Sequence, residues 1–348
     1  MTHLILSQDG HAGVMTLNRP EALNALSIAM VQKMSEALDK WRDDEAIKLV
    51  IIRSSSARAF CAGGDVREAV SLIKEASDNG ARAYFTAEYG FDRRLATFPK
   101  PVVALVDGVV MGGGFGVARL ADYMVISSQI KMAMPETAIG LFPDVGASYF
   151  LRRAPFAVAL MMGMTGTIVG AGDACAWHLA DMHCNADHFD ALARALSQAE
   201  TDEQVRTTLS AYESAPPPAE MAHKLGLIED IFNQDSLQNI CDAARRAQDD
   251  SHGANWVAAL EERCPSSIGA FWYMMRHLDV PQTAAQAIER DFFLACKMTA
   301  RPDFVEGVRA VLLDKDNQPH WSPRAISEIT DEGLADLFDF AGITPLPE

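Results

Sequence analysis

Two glycine runs and a Pro-Glu segment constrain this chain more than any other feature: Ala59-Phe-Cys-Ala-Gly-Gly-Asp65, Val109-Val-Met-Gly-Gly-Gly-Phe-Gly116 and Met134-Pro-Glu-Thr-Ala-Ile-Gly-Leu-Phe-Pro-Asp-Val-Gly146. Each glycine run follows strand-like sequence and opens a helical pattern. Main-chain N–H groups at such a turn have no helical acceptor and can approach an oxygen that is becoming negative. Glu136 and Asp144 in the third segment add carboxylates able to act as base or nucleophile. Two amide donors and a carboxylate are the parts that acyl chemistry needs.

The pattern around these turns repeats. Residues 3–8 and 13–17 alternate as a hairpin, and Ser27 is placed to cap a helix reaching Trp41. Leu49-Val-Ile-Ile52 and Pro101-Val-Val-Ala-Leu-Val106 are continuous apolar runs, the pattern of strands covered on both faces. Ala59–Cys61 and Tyr123–Ile126 add further strands, and helices are expected from Asp65 and after the triple glycine. Strand, strand, glycine turn, helix therefore occurs at least twice, which predicts a layered α/β fold with ligand sites at helix N-termini.

Composition changes after Ser214. Ala215-Pro-Pro-Pro-Ala219 is a stiff connection, and helices are expected over 219–233, 236–249, 253–263, 266–277 and 281–299. The expected organisation is an α/β core over 1–214 and a helical region over 215–348 packed on it.

Several partner classes are disfavoured. With 30 basic residues against 47 acidic ones, the net charge is −17, the opposite of a nucleic-acid-binding surface. A local basic pocket for an anionic ligand is still compatible with that total. No run of ~18 apolar residues suggests a membrane span. Six scattered cysteines without a CxxC pair read as thiols in a reducing compartment, so the cytoplasm is the default expectation. His178, His183 and His188 are five residues apart, which is not a ligand spacing on a helix, and no metal is expected.

Taken together, the motifs resemble the enoyl-CoA hydratase/isomerase (crotonase) superfamily. Those that carry the resemblance are Leu17-Asn-Arg-Pro-Glu-Ala-Leu-Asn-Ala-Leu26, Ala62-Gly-Gly-Asp65, Gly112-Gly-Gly114, Pro135-Glu136 and Gly166-Thr-Ile-Val-Gly-Ala-Gly-Asp173. The resemblance implies a spiral of ββα units, an acyl-CoA substrate and no separate cofactor, coenzyme A being part of the substrate. It also implies an oxyanion held by the N–H groups of Gly64 and Gly113, with Ala22 and Ala62 against the coenzyme. Arg19, Arg58 and Lys100 are candidates for the phosphates. Many members of the superfamily are homo-oligomers, which the resemblance allows here.

The branch is decided by the acids. Hydratases of the superfamily use two glutamates, and the position of the first is Gly116 here. Residues 135–146 instead resemble the 3-hydroxyisobutyryl-CoA hydrolase branch, which carries an aspartate at the position of Asp144. Glu88 and the stretches Asp303–Asp316 and Pro319–Pro323 agree with that branch, while Ala147, Ser148 and Arg152 depart from it beside the expected acyl pocket. The implied enzyme is a thioester hydrolase of valine catabolism, with Glu136 as nucleophile or general base and Asp144 and Glu88 binding substrate or positioning water. The rivals are an isomerase or hydratase of the same superfamily and a non-catalytic acyl-CoA-binding protein.

Overall fold

From the third strand onward, successive strands of this chain alternate between two sheets. The computed structural model describes residues 2–76 and 78–347. Strands β1 (Leu4–Asp9), β2 (Ala12–Leu17), β3 (Leu49–Ser54), β4 (Ala59–Cys61), β5 (Val102–Val106), β6 (Val109–Met111), β7 (Tyr123–Ile126), β8 (Lys131–Ala133) and β9 (Met182–His183) form two sheets. One has the order β1-β2-β3-β5-β7-β9 and the other β4-β6-β8. From β3 to β8, the first strand of each pair joins the large sheet and the second joins the small one; the helices α2 (Val66–Ala76) and α3 (Asp78–Ala96) follow β4, and α4 (Gly113–Leu120) follows β6. This is the crotonase-like spiral, with only the β1–β2 hairpin antiparallel in the large sheet.

Local chemistry sets these elements. Ser27 accepts the Met30 N–H and starts α1 (Ile28–Asp43), whose buried residues Met30, Val31, Met34, Ala37, Leu38 and Trp41 keep the helical period. Leu49, Val50, Ile51 and Ile52 are all fully buried, as their unbroken apolar run requires. The helices Phe189–Leu196 and Asp202–Tyr212 close a core over this sheet, where Phe189, Leu192, Leu196, Val205 and Leu209 cluster with Leu49, Ile51, Val103, Leu105 and Val125.

The chain forms two compact units, each assembled from three separated segments. The first comprises Met1–Asp65, Gly90–Met132 and Val169–Ala222, and the second Val66–Tyr89, Ala133–Ile168 and His223–Glu348. The first unit contains the large sheet. In the second, the helices Pro265–His277 and Leu225–Phe232 pack on Phe156–Thr165. The helix Ala284–Thr299 packs on the short helix Ala147–Phe150. Gly163 is needed at one of these crossings, because a Cβ there would lie 2.1 Å from the Phe271 ring. The C-terminal helices of the sequence reading are present with shifted ends, the first starting later than expected and the third and fourth slightly earlier: Leu225–Phe232, Leu237–Arg246, Ser251–Glu262, Pro265–His277 and Ala284–Thr299.

Candidate active site

In the first unit, the two glycine turns lie against each other. The chain crosses from β6 into α4 (Gly113–Leu120) through Gly112, at φ 52° and ψ −131°, a conformation closed to residues with a Cβ. Gly63 also has positive φ, and a Cβ on it would sit 3.2 Å from the Met111 carbonyl oxygen and 3.4 Å from the Gly113 nitrogen. Gly113 is the first residue of α4, so its N–H has no acceptor one turn back within the helix.

The segment carrying Ala22 runs beside the one carrying Ala62. Ala62 N–H donates to Leu23 O (3.0 Å), Leu26 N–H to Gly63 O (2.9 Å) and Asp65 N–H to Leu26 O (2.8 Å). Asn24, fully buried, is the peg between them. Its amide donates to Ser54 Oγ and to the carbonyls of Ala59 and Phe60, and its oxygen accepts the Arg19 N–H. A buried amide with this many partners fixes one backbone arrangement.

The three cations proposed for phosphates have separate fates. Lys100 donates to the carbonyls of Trp41 (2.5 Å) and Asp44 (2.8 Å), closing the C-terminal end of α1, so it serves the helix end. Arg19 pairs with Asp65 at 2.7 Å. Arg58 is exposed.

In the second unit, the structure brings together Glu88, Glu136 and Asp144. Glu88 lies on α3 (Asp78–Ala96), Glu136 opens the 3₁₀ turn Glu136–Ile139, and Asp144 lies in the turn after it. The three are only 7%, 5% and 4% exposed, so none is a solvated surface acid. Burial, then the charge of Asp144, pushes the Glu88 carboxyl up to about 8. Burial, then Asp144 and Glu88, holds Glu136 well above the usual carboxylate range. Asp144 is pushed to about 6 by burial, against the hydrogen bond that Tyr89 OH donates to its Oδ2 at 2.5 Å. Oε2 of Glu136 is buried without a hydrogen-bond partner in the protein. Crowded acids of this kind share protons, so one ionises while its neighbours are held neutral.

Two members of the cluster escaped the sequence reading. Tyr89 is fully buried next to Glu88 in sequence, and Asp291 is fully buried on the helix Ala284–Thr299. Asp291 accepts the Gly146 N–H at 2.8 Å, and burial pushes its carboxyl up to about 8. A signal for Asp291 was present: it falls on the same helical face as Ile288, Phe292 and Ala295, all buried. His183 is a buried bridge, with one ring nitrogen 2.8 Å from Ser128 Oγ and the other 3.1 Å from Ser214 O. Among the described residues, no three His, Cys, Asp or Glu side chains form a metal-binding group.

The raised values fix a stability trend. In an unfolded chain these carboxyls lose their protons near pH ~4, whereas the folded protein keeps protons on them to higher pH. Their contribution is complete below the unfolded value and is lost as pH rises through about 6 for Asp144 and about 8 for Glu88 and Asp291. Glu88→Gln, which stays neutral, is expected to gain on the order of 2–4 kcal/mol over the parent at pH 9, and far less at pH 4. Denaturant unfolding at both pH values measures this, and an equal shift at both would contradict it.

Spiral, glycine turns and buried acids define a crotonase-fold protein. The crystal structure of an enoyl-CoA hydratase from Rhodobacter sphaeroides 2.4.1 superposes with a TM-score of 0.92 at 31% identity, covering 100% of both chains. The enoyl-CoA hydratase/isomerase family matches residues 12–338, and this chain belongs to that family. A relative in Xenopus tropicalis, named 3-hydroxyisobutyryl-CoA hydrolase, mitochondrial, is 33% identical over 98% of this chain and 90% of its own length. 3-hydroxyisobutyryl-CoA hydrolase 1 of Arabidopsis thaliana is 32% identical over 97% and 92%.

Proposed function

We propose that this protein is an acyl-CoA thioester hydrolase whose first substrate to test is 3-hydroxyisobutyryl-CoA, a role in valine degradation. The observation that carries the reading is the kind of acid present. Position 116 is a buried glycine inside α4, which cannot move a proton, while Glu136, Asp144 and Glu88 form a cluster with an unpartnered Glu136 oxygen. Relatives named for this hydrolysis match along nearly the full length, which supports the same substrate class.

In this reading the N–H groups of Gly64 and Gly113 receive the thioester oxygen as it becomes an oxyanion. One such donor is worth ~3–4 kcal/mol of barrier. Ionised Glu136 either attacks the carbonyl carbon or takes a proton from a water that does. In the first route the C–S bond breaks, the coenzyme leaves as thiolate and takes a proton, and water then cleaves the acyl-glutamyl anhydride. In the second, water oxygen becomes part of the acid directly. Asp144 and Glu88 bind the substrate hydroxyl or hold the water. Because Glu136 must lose a proton first, and its carboxyl is held well above the usual range, the rate rises with pH over a range higher than that of an ordinary carboxylate.

Six cysteines that form no disulfide suit a reducing compartment, which we take to be the cytoplasm. Among the described residues, no helix is long and apolar enough to cross a membrane. The test is thiol release from 3-hydroxyisobutyryl-CoA, with crotonyl-CoA and a 3-enoyl-CoA run beside it. Release from the first alone supports the proposal. Hydration or double-bond migration without release would replace it with the hydratase or isomerase reading. Binding without turnover would leave only an acyl-CoA-binding protein.

A further inference from the structure

Asp144 sits in a turn that needs outside support. The residue after it, Val145, has φ 49°, a conformation a β-branched side chain adopts only when its surroundings impose it. Gly146 follows, and the short helix Ala147–Phe150 begins there with no side-chain cap. Two consecutive residues of the helix Ala284–Thr299 reach this turn. Asp291 Oδ2 accepts the Gly146 N–H at 2.8 Å, and Arg290 Nη2 donates to Ser148 Oγ at 2.8 Å. From the other side, Tyr89 on α3 holds Asp144 Oδ2.

We propose that Asp291 is a positioning residue, which sets the orientation and the ionisation of Asp144 by fixing the Gly146 N–H from a fully buried site. The assignment rests on the hydrolase reading above and adds a residue to it. Geometry makes the case: the carboxylate is fully buried, one oxygen is spent on the turn, and Oδ1 has no hydrogen-bond partner in the protein. An oxygen left in that state is costly if charged, so the side chain acts in its neutral form. The charged and titratable groups that face it are Arg290 on its own helix, Asp144 on the turn and Tyr89 on α3. With Asp291 neutral, Asp144 is the acid of the pair that ionises first, in keeping with about 6 against about 8.

The experiment compares Asp291→Asn and Asp291→Ala with the parent in thiol release from 3-hydroxyisobutyryl-CoA between pH 5 and 10. Asparagine keeps an oxygen for the Gly146 N–H and cannot ionise. Its kcat near pH 7 is expected within ~3-fold of the parent, and the inflection near pH 8 assigned to Asp291 is expected to disappear. Alanine frees the turn. A drop of ~10-fold or more in kcat is expected with KM changed less, and with the Asp144 inflection displaced from about 6. A role in folding alone would lower the unfolding midpoint and leave both inflections in place. If Asp291→Ala does not fold, Asp291→Asn decides: an unaltered pH profile overturns the inference. A parent that releases no thiol would instead sink the hydrolase reading, which separates the two failures.

Discussion

Glu136→Gln is expected to lower kcat for thiol release from 3-hydroxyisobutyryl-CoA by about 10³-fold or more, with KM within a few-fold of the parent. The substitution replaces one oxygen by an amide group of the same size. Glu136 Oε2 has no partner in the protein, so the variant breaks no hydrogen bond there, and burial already favours the neutral form of Glu136. Stability at neutral pH should therefore hold. What disappears is the ability to ionise, and with it both attack on the thioester and activation of water. The alternative for a Pro-Glu pair is a first-turn helix residue with no chemistry. In that case kcat would stay within ~10-fold, and the proposed role would be wrong. Stopped turnover with labelled water then separates the two routes in the parent: label entering Glu136 marks the anhydride, and label only in the product marks the base.

The strands and the glycine turns were legible because each has a strong local cause. Four fully apolar residues at 49–52 can only be a strand covered on both faces, and Ser27 with the 28–41 period allows one helix start. Glu136 and Asp144 were legible through their segment's resemblance, and Glu88 more weakly, since a lone helix glutamate is ordinarily solvated. Tyr89 and Asp291 were not found, because their meaning depends on partners distant in sequence: 55 residues separate Tyr89 from Asp144, and 145 separate Gly146 from Asp291. The role of Lys100 at the end of α1 was hidden for the same reason. Its partners are two carbonyls at the end of α1, and main-chain acceptors leave no trace in side-chain identity. Nor does any composition change mark residues 65, 89, 132 or 168, four of the five points where the chain passes from one unit to the other.

Gly114→Ala should disrupt the first unit strongly, although helix propensity alone argues for the opposite sign. Alanine favours a helix over glycine by up to ~1 kcal/mol. The added Cβ, however, would stand 2.3 Å from the Cys61 carbonyl oxygen and 2.7 Å from both its carbonyl carbon and Cβ. The obstacle is mostly main chain of β4, which cannot rotate away, so α4 and β4 must separate by ~1 Å to reach ordinary contact. That displacement lies one residue after Gly113 and three before Gly64, the two amides assigned to the oxyanion. Misplacement by ~1 Å at a reacting centre costs ~10²-fold, and overpacking costs ~1–3 kcal/mol or more. Both effects follow from one contact. The expected result is a protein destabilised by ~3 kcal/mol whose kcat/KM falls ~10²-fold or further at temperatures where it is still folded. Gly170→Ala is the matched control, since its φ of −88° and ψ of 174° suit any residue and nothing lies within 4 Å of the new Cβ. Denaturant midpoints and thiol-release rates measured on both variants distinguish geometry from propensity. If Gly114→Ala matches the control in both, the close approach of the two glycine turns is not what aligns the amides.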